Sequence, residues 1–205
     1  MQLYRGMDIG TAKLNVDERQ GITHHLLDIW PISYGASVAE YQRLARQTAA
    51  EIQQRDRLPI FVGGSGLYVN AAIDDLQFPG TDPGIRAAFE AELEELGAAA
   101  MHQRLAAIDP AAAAAILPGN GRRIVRALEV IQMTGQPFQA TLVGAETEIV
   151  PAVRIGIRRP RVELDQRIEQ RVDQMLDQGF VDEVRSLSDQ GLAQTPTASR
   201  ALGYA

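Results

Sequence analysis

Two glycine-rich turns constrain this chain most. Arg5-Gly6-Met7-Asp8-Ile9-Gly10-Thr11-Ala12-Lys13 lies near the start, and Gly63-Gly64-Ser65-Gly66-Leu67-Tyr68 directly follows the apolar run Pro59-Ile60-Phe61-Val62. A short uninterrupted apolar run reads as a parallel strand covered on both faces. Glycine-rich turns at the carboxyl ends of such strands build anion- and substrate-binding loops. The pair therefore predicts an open α/β sheet with a ligand site at its carboxyl edge.

Strand-like stretches are expected at Met1–Tyr4, Leu26–Ile29, Pro59–Val62 and Val153–Ile157. Ser37 with Glu40 three residues on is a capping box, and Val38, Tyr41, Ala45, Thr48 and Ile52 recur at helical spacing, so a helix is expected from Ser37 to Arg55. Another runs from Gly66 to Ile73. Asp82-Pro83 and Asp109-Pro110 each place a capping carboxylate before a first-turn proline. The loop Leu117–Gly121 feeds a helix from Arg122 to Thr134, which Gly135-Gln136-Pro137 stops. Leu164, Ile168, Val172, Met175 and Leu176 form the apolar stripe of a helix that ends near Gly179, and a last helix covers Val181–Ser188. The order predicts an α/β core from residues 1–77 and 150–205, interrupted by an all-helical insertion at 78–149.

Composition narrows the function classes. The chain has no cysteine, which excludes disulfides and thiolate metal sites and implies no oxidising compartment. No apolar run approaches the roughly 20 residues that cross a bilayer, so no membrane role and a cytoplasmic location are expected. A net charge of −6 disfavours a general nucleic-acid binder. The cations are nonetheless clustered: Arg154, Arg158, Arg159, Arg161, Arg167 and Arg171 form one group, and Arg122, Arg123 and Arg126 another. Nineteen arginines to one lysine is also what a coding bias produces. Adjacent His24 and His25 would point to opposite faces of a strand, and no metal site is expected there.

The segments MQLYRGMDIGTAK, HHLLDI, LPIFVGGSGLY and RRIVRALEV resemble the tRNA isopentenyl transferase (tRNA dimethylallyltransferase) family over essentially the whole chain. That resemblance implies a P-loop-NTPase-like parallel sheet with a helical insertion domain. It also implies transfer of a dimethylallyl group from dimethylallyl diphosphate to N6 of the adenosine 3′-adjacent to the anticodon of tRNA. Mg²⁺ would accompany the diphosphate, and the full-length enzyme would be a monomer. The family's P-loop and its Asp-Ser pair, whose aspartate acts as general base, precede the stretch that matches Met1. The one lysine here, Lys13, does not sit in a G-x-x-x-x-G-K-[ST] pattern. The chain therefore reads as an internal piece lacking the P-loop strand, inactive and aggregation-prone alone. An adenylate isopentenyltransferase and a noncatalytic RNA-binding fragment or pseudoenzyme are the alternatives. The arginine-bearing insertion favours tRNA over free nucleotide.

The resemblance assigns roles residue by residue. Ser65 stands where the family has a threonine, and its hydroxyl would serve catalysis by bonding a phosphate, a leaving oxygen or the base; otherwise it caps the following helix. Met1, Gln2, Arg86, Arg122, Arg123, Ile124, Val125, Arg126, Arg200, Gly203 and Tyr204 match tRNA-contact positions. Arg86 could instead pair with Asp82 or Glu90, and Arg126 with Glu129. Arg167 and Arg171 are diphosphate-binding candidates whose spacing would let two guanidinium forks converge on one phosphate, although Glu163 offers Arg167 a plain ion pair. The loop residues themselves leave two readings of Asp8, Thr11 and Lys13: a lining of the catalytic mouth or an ordered connector.

Overall fold

The computed structural model describes residues 1–138 and 149–204, so residues 139–148 of the expected insertion and Ala205 lie outside the described residues. The chain divides into two compact units, Ile73–Val150 and a second made of Met1–Ala72 with Pro151–Ala205.

The first of these is helical, and local chemistry sets its elements. Asp82 accepts from the amides of Gly84 and Ile85, and Pro83 occupies the first turn, which starts α3, Pro83–Ile108. Gly97, with φ 79° and ψ 162°, breaks that element into two helical pieces. Asp109 caps α4, Pro110–Ala115, through the amide of Ala112, while its other oxygen accepts from Phe138 at 2.8 Å. Asn120 accepts from the amide of Arg123 to start α5, Gly121–Thr134, and Gly135 ends it in the left-handed region at φ 65°. The elements meet in one core of Phe89, Met101, Leu105, Ile116, Ile124 and Leu128 with interspersed alanines. A Cβ on Gly121 would lie 2.7 Å from a Leu93 methyl, so a larger residue at the start of α5 would make Leu93 shift.

In the second unit, Ser37 caps α1, Val38–Gln53, by accepting from Glu40. Arg46 ties α1 to the end of α2, Gly66–Ile73, by donating to the carbonyls of Ala71 and Ala72. α6, Arg161–Asp177, and α7, Phe180–Asp189, complete the helices. Tyr4, Met7, Trp30, Ile32, Leu187, Leu192 and Tyr204 form the core. Trp30 stacks on Tyr34 at 4.9 Å between ring centres.

The expected sheet is not present among the described residues. Their one bridge is a parallel pair between Tyr4 and Trp30. Leu26–Ile29 is not a strand, because Leu26 and Asp28 have φ of 60° and 56° and turn the chain. Pro59–Val62 and Val153–Ile157 form no ladder, and Ile60, Val62, Val153, Ile155 and Ile157 are all more than three-quarters exposed. A buried strand needs neighbours about 4.8 Å away and apolar cover on its faces. No described residue supplies either. The stripe of α6 is likewise formed but uncovered, with Ile168, Val172 and Leu176 about half exposed.

Candidate functional site

The loop after Tyr4 is the hub of the second unit. Lys13, whose side chain is 3% exposed, donates from Nζ to Asp8 Oδ1 and Asp28 Oδ1, each at 2.5 Å, and to the carbonyl of Tyr4 at 2.9 Å. Thr11 Oγ1 donates to the carbonyl of Met7 at 2.6 Å. Lys13 and Thr11 thus brace the loop; a buried ammonium is tolerable because carboxylates and a carbonyl surround it. The side-chain amide of Gln2 donates to the carbonyls of Thr11 and Ala12, so Gln2 holds the loop through the group expected to reach RNA. Met1 is exposed beside it.

Glu183 on α7 closes the other side of the loop. Its Oε2 accepts from the amides of Ile9 at 2.8 Å and Asp8 at 3.1 Å, and its Oε1 from the amide of Gly10 at 3.3 Å and from the Tyr204 hydroxyl in a short contact. Three successive amides aimed at one carboxylate form an anion nest. Tyr204 is buried, packs edge-on against Phe180, and has its hydroxyl pushed well above the ordinary tyrosine range by burial and by the bond to Glu183. The Tyr204 ring belongs to the core. A Cβ on Gly10 would lie 2.2 Å from Phe180 and 2.6 Å from the Tyr204 oxygen, so glycine is required at that approach. Gly203 and Arg200 are exposed.

A cleft of about 490 Å³ lies between this loop and α6, lined by Asp8, Lys13, Asn15 and Glu18 on one side and by Arg171 and Gln178 on the other. Arg171 faces it, but Arg167 donates to Glu163 at 3.0 Å instead. The two forks do not converge here, because Glu163, four residues before Arg167, already engages it. The bonds from Arg167 and the neighbouring Arg159 hold the Glu163 carboxyl below its ordinary value. Ser65 is exposed at the start of α2, where its carbonyl accepts from Tyr68 and Val69. Added Cβ atoms on Gly63, Gly64 and Gly66 would meet nothing within 4 Å, so this turn leaves room for a ligand.

In the helical unit, Arg122 and Arg123 are exposed on the first turn of α5, where the positive end of the helix dipole favours an anion. Ile124 and Val125, also matched to tRNA-contact positions, are 0% and 3% exposed, so their side chains belong to the core. They anchor the α5 face opposite the arginines. Arg86 and Arg126 converge on the fully buried Glu129: Arg86 Nη2 lies 2.6 Å and Arg126 Nη1 3.0 Å from Oε2, and the Asp82 amide donates to Oε1 at 3.0 Å. Burial alone would raise the Glu129 carboxyl, but the two guanidinium groups and the amide outweigh it and hold the carboxyl below its ordinary value. Arg126 also donates to the carbonyls of Pro79 and Gly80, fixing the segment that leads into α3. Both arginines are structural clamps in this state.

Glu183 and the Arg86–Glu129 pair escape sequence reasoning. Glu183 sits in an ordinary amphipathic helix; the one signal for it is that the glycine loop needs an anion for its amides. No group of three or more His, Cys, Asp or Glu gathers among the described residues to hold a metal. Asp8 and Asp28 face the Lys13 ammonium. The described residues therefore do not by themselves fit a Mg²⁺ site.

The model of IPP transferases matches residues 2–205, and the chain belongs to that family. It is 62% identical over 204 residues to the tRNA dimethylallyltransferase of Streptomyces coelicolor, covering all of this chain and 65% of that protein. It is 60% identical to the enzyme of the same name from Thermobifida fusca, with 64% of that protein covered. The chain thus spans slightly less than two thirds of these relatives. Among solved structures, the tRNA isopentenylpyrophosphate transferase of Bacillus halodurans is 44% identical with a TM-score of 0.63, covering 99% of this chain and 63% of its own. A eukaryotic dimethylallyltransferase acting on tRNA is 25% identical with a TM-score of 0.79, covering 93% of this chain and 48% of its own. No helix among the described residues is long and apolar enough to cross a membrane.

Proposed function

We propose that this chain is the RNA-gripping and pocket-forming part of a tRNA dimethylallyltransferase. Such an enzyme moves a dimethylallyl group from its diphosphate to N6 of the adenosine 3′-adjacent to the anticodon. The amine forms the new C–N bond as the C–O bond to diphosphate breaks, N6 loses a proton, and diphosphate leaves with its electron pair. The observation that carries this reading is the match to the family over residues 2–205, joined to an exposed Arg122–Arg123 pair at a helix start.

Within the reading, Arg122 and Arg123 bind tRNA phosphates, and Arg200 and Gly203 add exposed contacts. Ser65, in its open turn, donates its hydroxyl to the leaving oxygen. Arg171, on the cleft beside the glycine loop, binds the diphosphate, and Arg167 joins it only if its bond to Glu163 opens. Mg²⁺ would accompany the diphosphate and offset its charge, held by groups other than the described residues. The reading further takes the sheet to be P-loop-NTPase-like, the enzyme to be a cytoplasmic monomer, and the helical insertion to be the tRNA-facing domain.

The test is prenyl transfer by the full reading frame, with labelled dimethylallyl diphosphate and unmodified tRNA. Ser65→Ala is expected to lower turnover by ~10- to 100-fold with little change in tRNA KM. Arg123→Ala is expected to weaken tRNA binding and make its salt dependence shallower by about one charge. Wild-type behaviour in both variants removes these residues from the site, and absence of label in tRNA removes the reading.

A further inference from the structure

We infer that Glu183 is a positioning residue that locks the Asp8–Gly10 loop to the Gly203–Tyr204 turn, so that the loop enters the reaction already in its working shape. The inference rests on the proposed function only for its kinetic consequence; the locking is a matter of geometry. Four donors converge on one carboxylate: the amides of Asp8, Ile9 and Gly10 and the hydroxyl of Tyr204. Each of those amides lies in a loop without a strand or helix partner, and those of Ile9 and Gly10 are part-buried, where an unpaired N–H is costly. A carboxylate is the strongest side-chain acceptor for them.

The surroundings leave the lock little freedom. Gly10 has no room for a Cβ against Phe180 and Tyr204, and a Cβ on Gly203 would lie 3.0 Å from Phe180. The Phe180 and Tyr204 rings stand nearly perpendicular, at 82° and 5.2 Å. The loop is thus pressed onto α7 by shape and held there by Glu183. On its far side it is braced by Lys13, and it forms one wall of the cleft that Arg171 faces. A loop held on both sides lines a binding cleft without the ordering cost that a mobile wall would add on substrate arrival. Both Glu183 oxygens are engaged by the loop amides and the Tyr204 hydroxyl, so it acts through the loop.

The experiment uses the full-length protein with Glu183→Gln, Tyr204→Phe and the double variant. It measures prenylation kinetics, amide hydrogen exchange of residues 8–10, and thermal melting. Glu183→Gln keeps the shape but turns an NH₂ toward the donors. It is expected to lower kcat by ~10- to 100-fold with a tRNA KM within about threefold of wild type, and to speed exchange at residues 8–10. Tyr204→Phe is expected to cost less, and the double variant to be no worse than Glu183→Gln alone, since both changes act on one carboxylate. Wild-type exchange at residues 8–10 in Glu183→Gln overturns the inference, as do unaltered kcat, multiplicative losses in the double variant, or a kcat loss that only follows a lowered melting temperature. A wild-type protein that does not prenylate tRNA overturns the functional reading instead, and the exchange rates then decide the lock alone.

Discussion

Among the described residues of the helical unit, the apolar side chains that face one another across α3 and α5 form a buried core, with Met101, Leu105 and Ile124 at 0% exposure. In the other unit, Ile60, Val62, Val153, Ile155 and Ile157 stand more than three-quarters exposed although their runs are just as apolar. The contrast follows from where each element finds its hydrogen bonds. A helix satisfies its backbone within itself and needs only one covered face, which α5 and the two pieces of α3 provide for each other. A strand satisfies nothing alone. Its amides, carbonyls and both faces depend on elements distant in sequence.

The contrast is most exposed to failure in the helical core. Leu105→Ala removes a fully buried side chain and is expected to destabilise the helical unit by about 3 kcal/mol in a urea melt. A loss under about 1 kcal/mol would mean that this core is no better packed than the open runs. Glu129→Gln comes next, at about 2 kcal/mol near neutral pH, since it loses charge-assisted bonds from Arg86 and Arg126. The native Glu129 carboxyl is held below its ordinary value of 4.5. Its contribution is therefore complete above that value and is lost as the pH falls through the lower native one. Melts from pH 7 to pH 3 should show a steeper acid loss in wild type than in Glu129→Gln, and parallel curves would remove the carboxylate from the clamp. The smallest effect sharpens the other side: Ile155→Thr should change stability by no more than about 0.5 kcal/mol, because its side chain meets little but solvent. A cost of several times that would show the run covered in solution.

How much could be read from sequence follows the same division. Ser37, Asp82, Asp109, Asn120 and Gly135 sit next to the amides and carbonyls they serve, so the helix limits they set were legible from neighbouring residues. Arg126 with Glu129 and Arg167 with Glu163 were also within reach, because three or four residues along a helix is contact distance. Arg86 with Glu129 spans 43 residues, and Glu183 reaches the glycine loop across more than 170. No local spacing encodes such pairs. Lys13 shows a different gap: its loop was marked for function, yet the structure gives its charge to two aspartates, a choice that depends on where Asp28 folds back. Ile124 and Val125 adjoin Arg122 and Arg123 in sequence yet turn their side chains into the core, since helical periodicity puts adjacent residues on different faces.

The interruption at Gly97 has a consequence for how α3 is phased. At about 100° per residue, an unbroken helix would set Leu105 roughly 160° around the axis from Phe89, nearly back to back. Both nevertheless enter one core. The glycine resets the angular count between the two pieces, so each turns its own apolar residues toward α5. Alanine there, though better suited to a helix by about 1 kcal/mol, would restore a continuous count and swing Met101 and Leu105 out of step with Phe89.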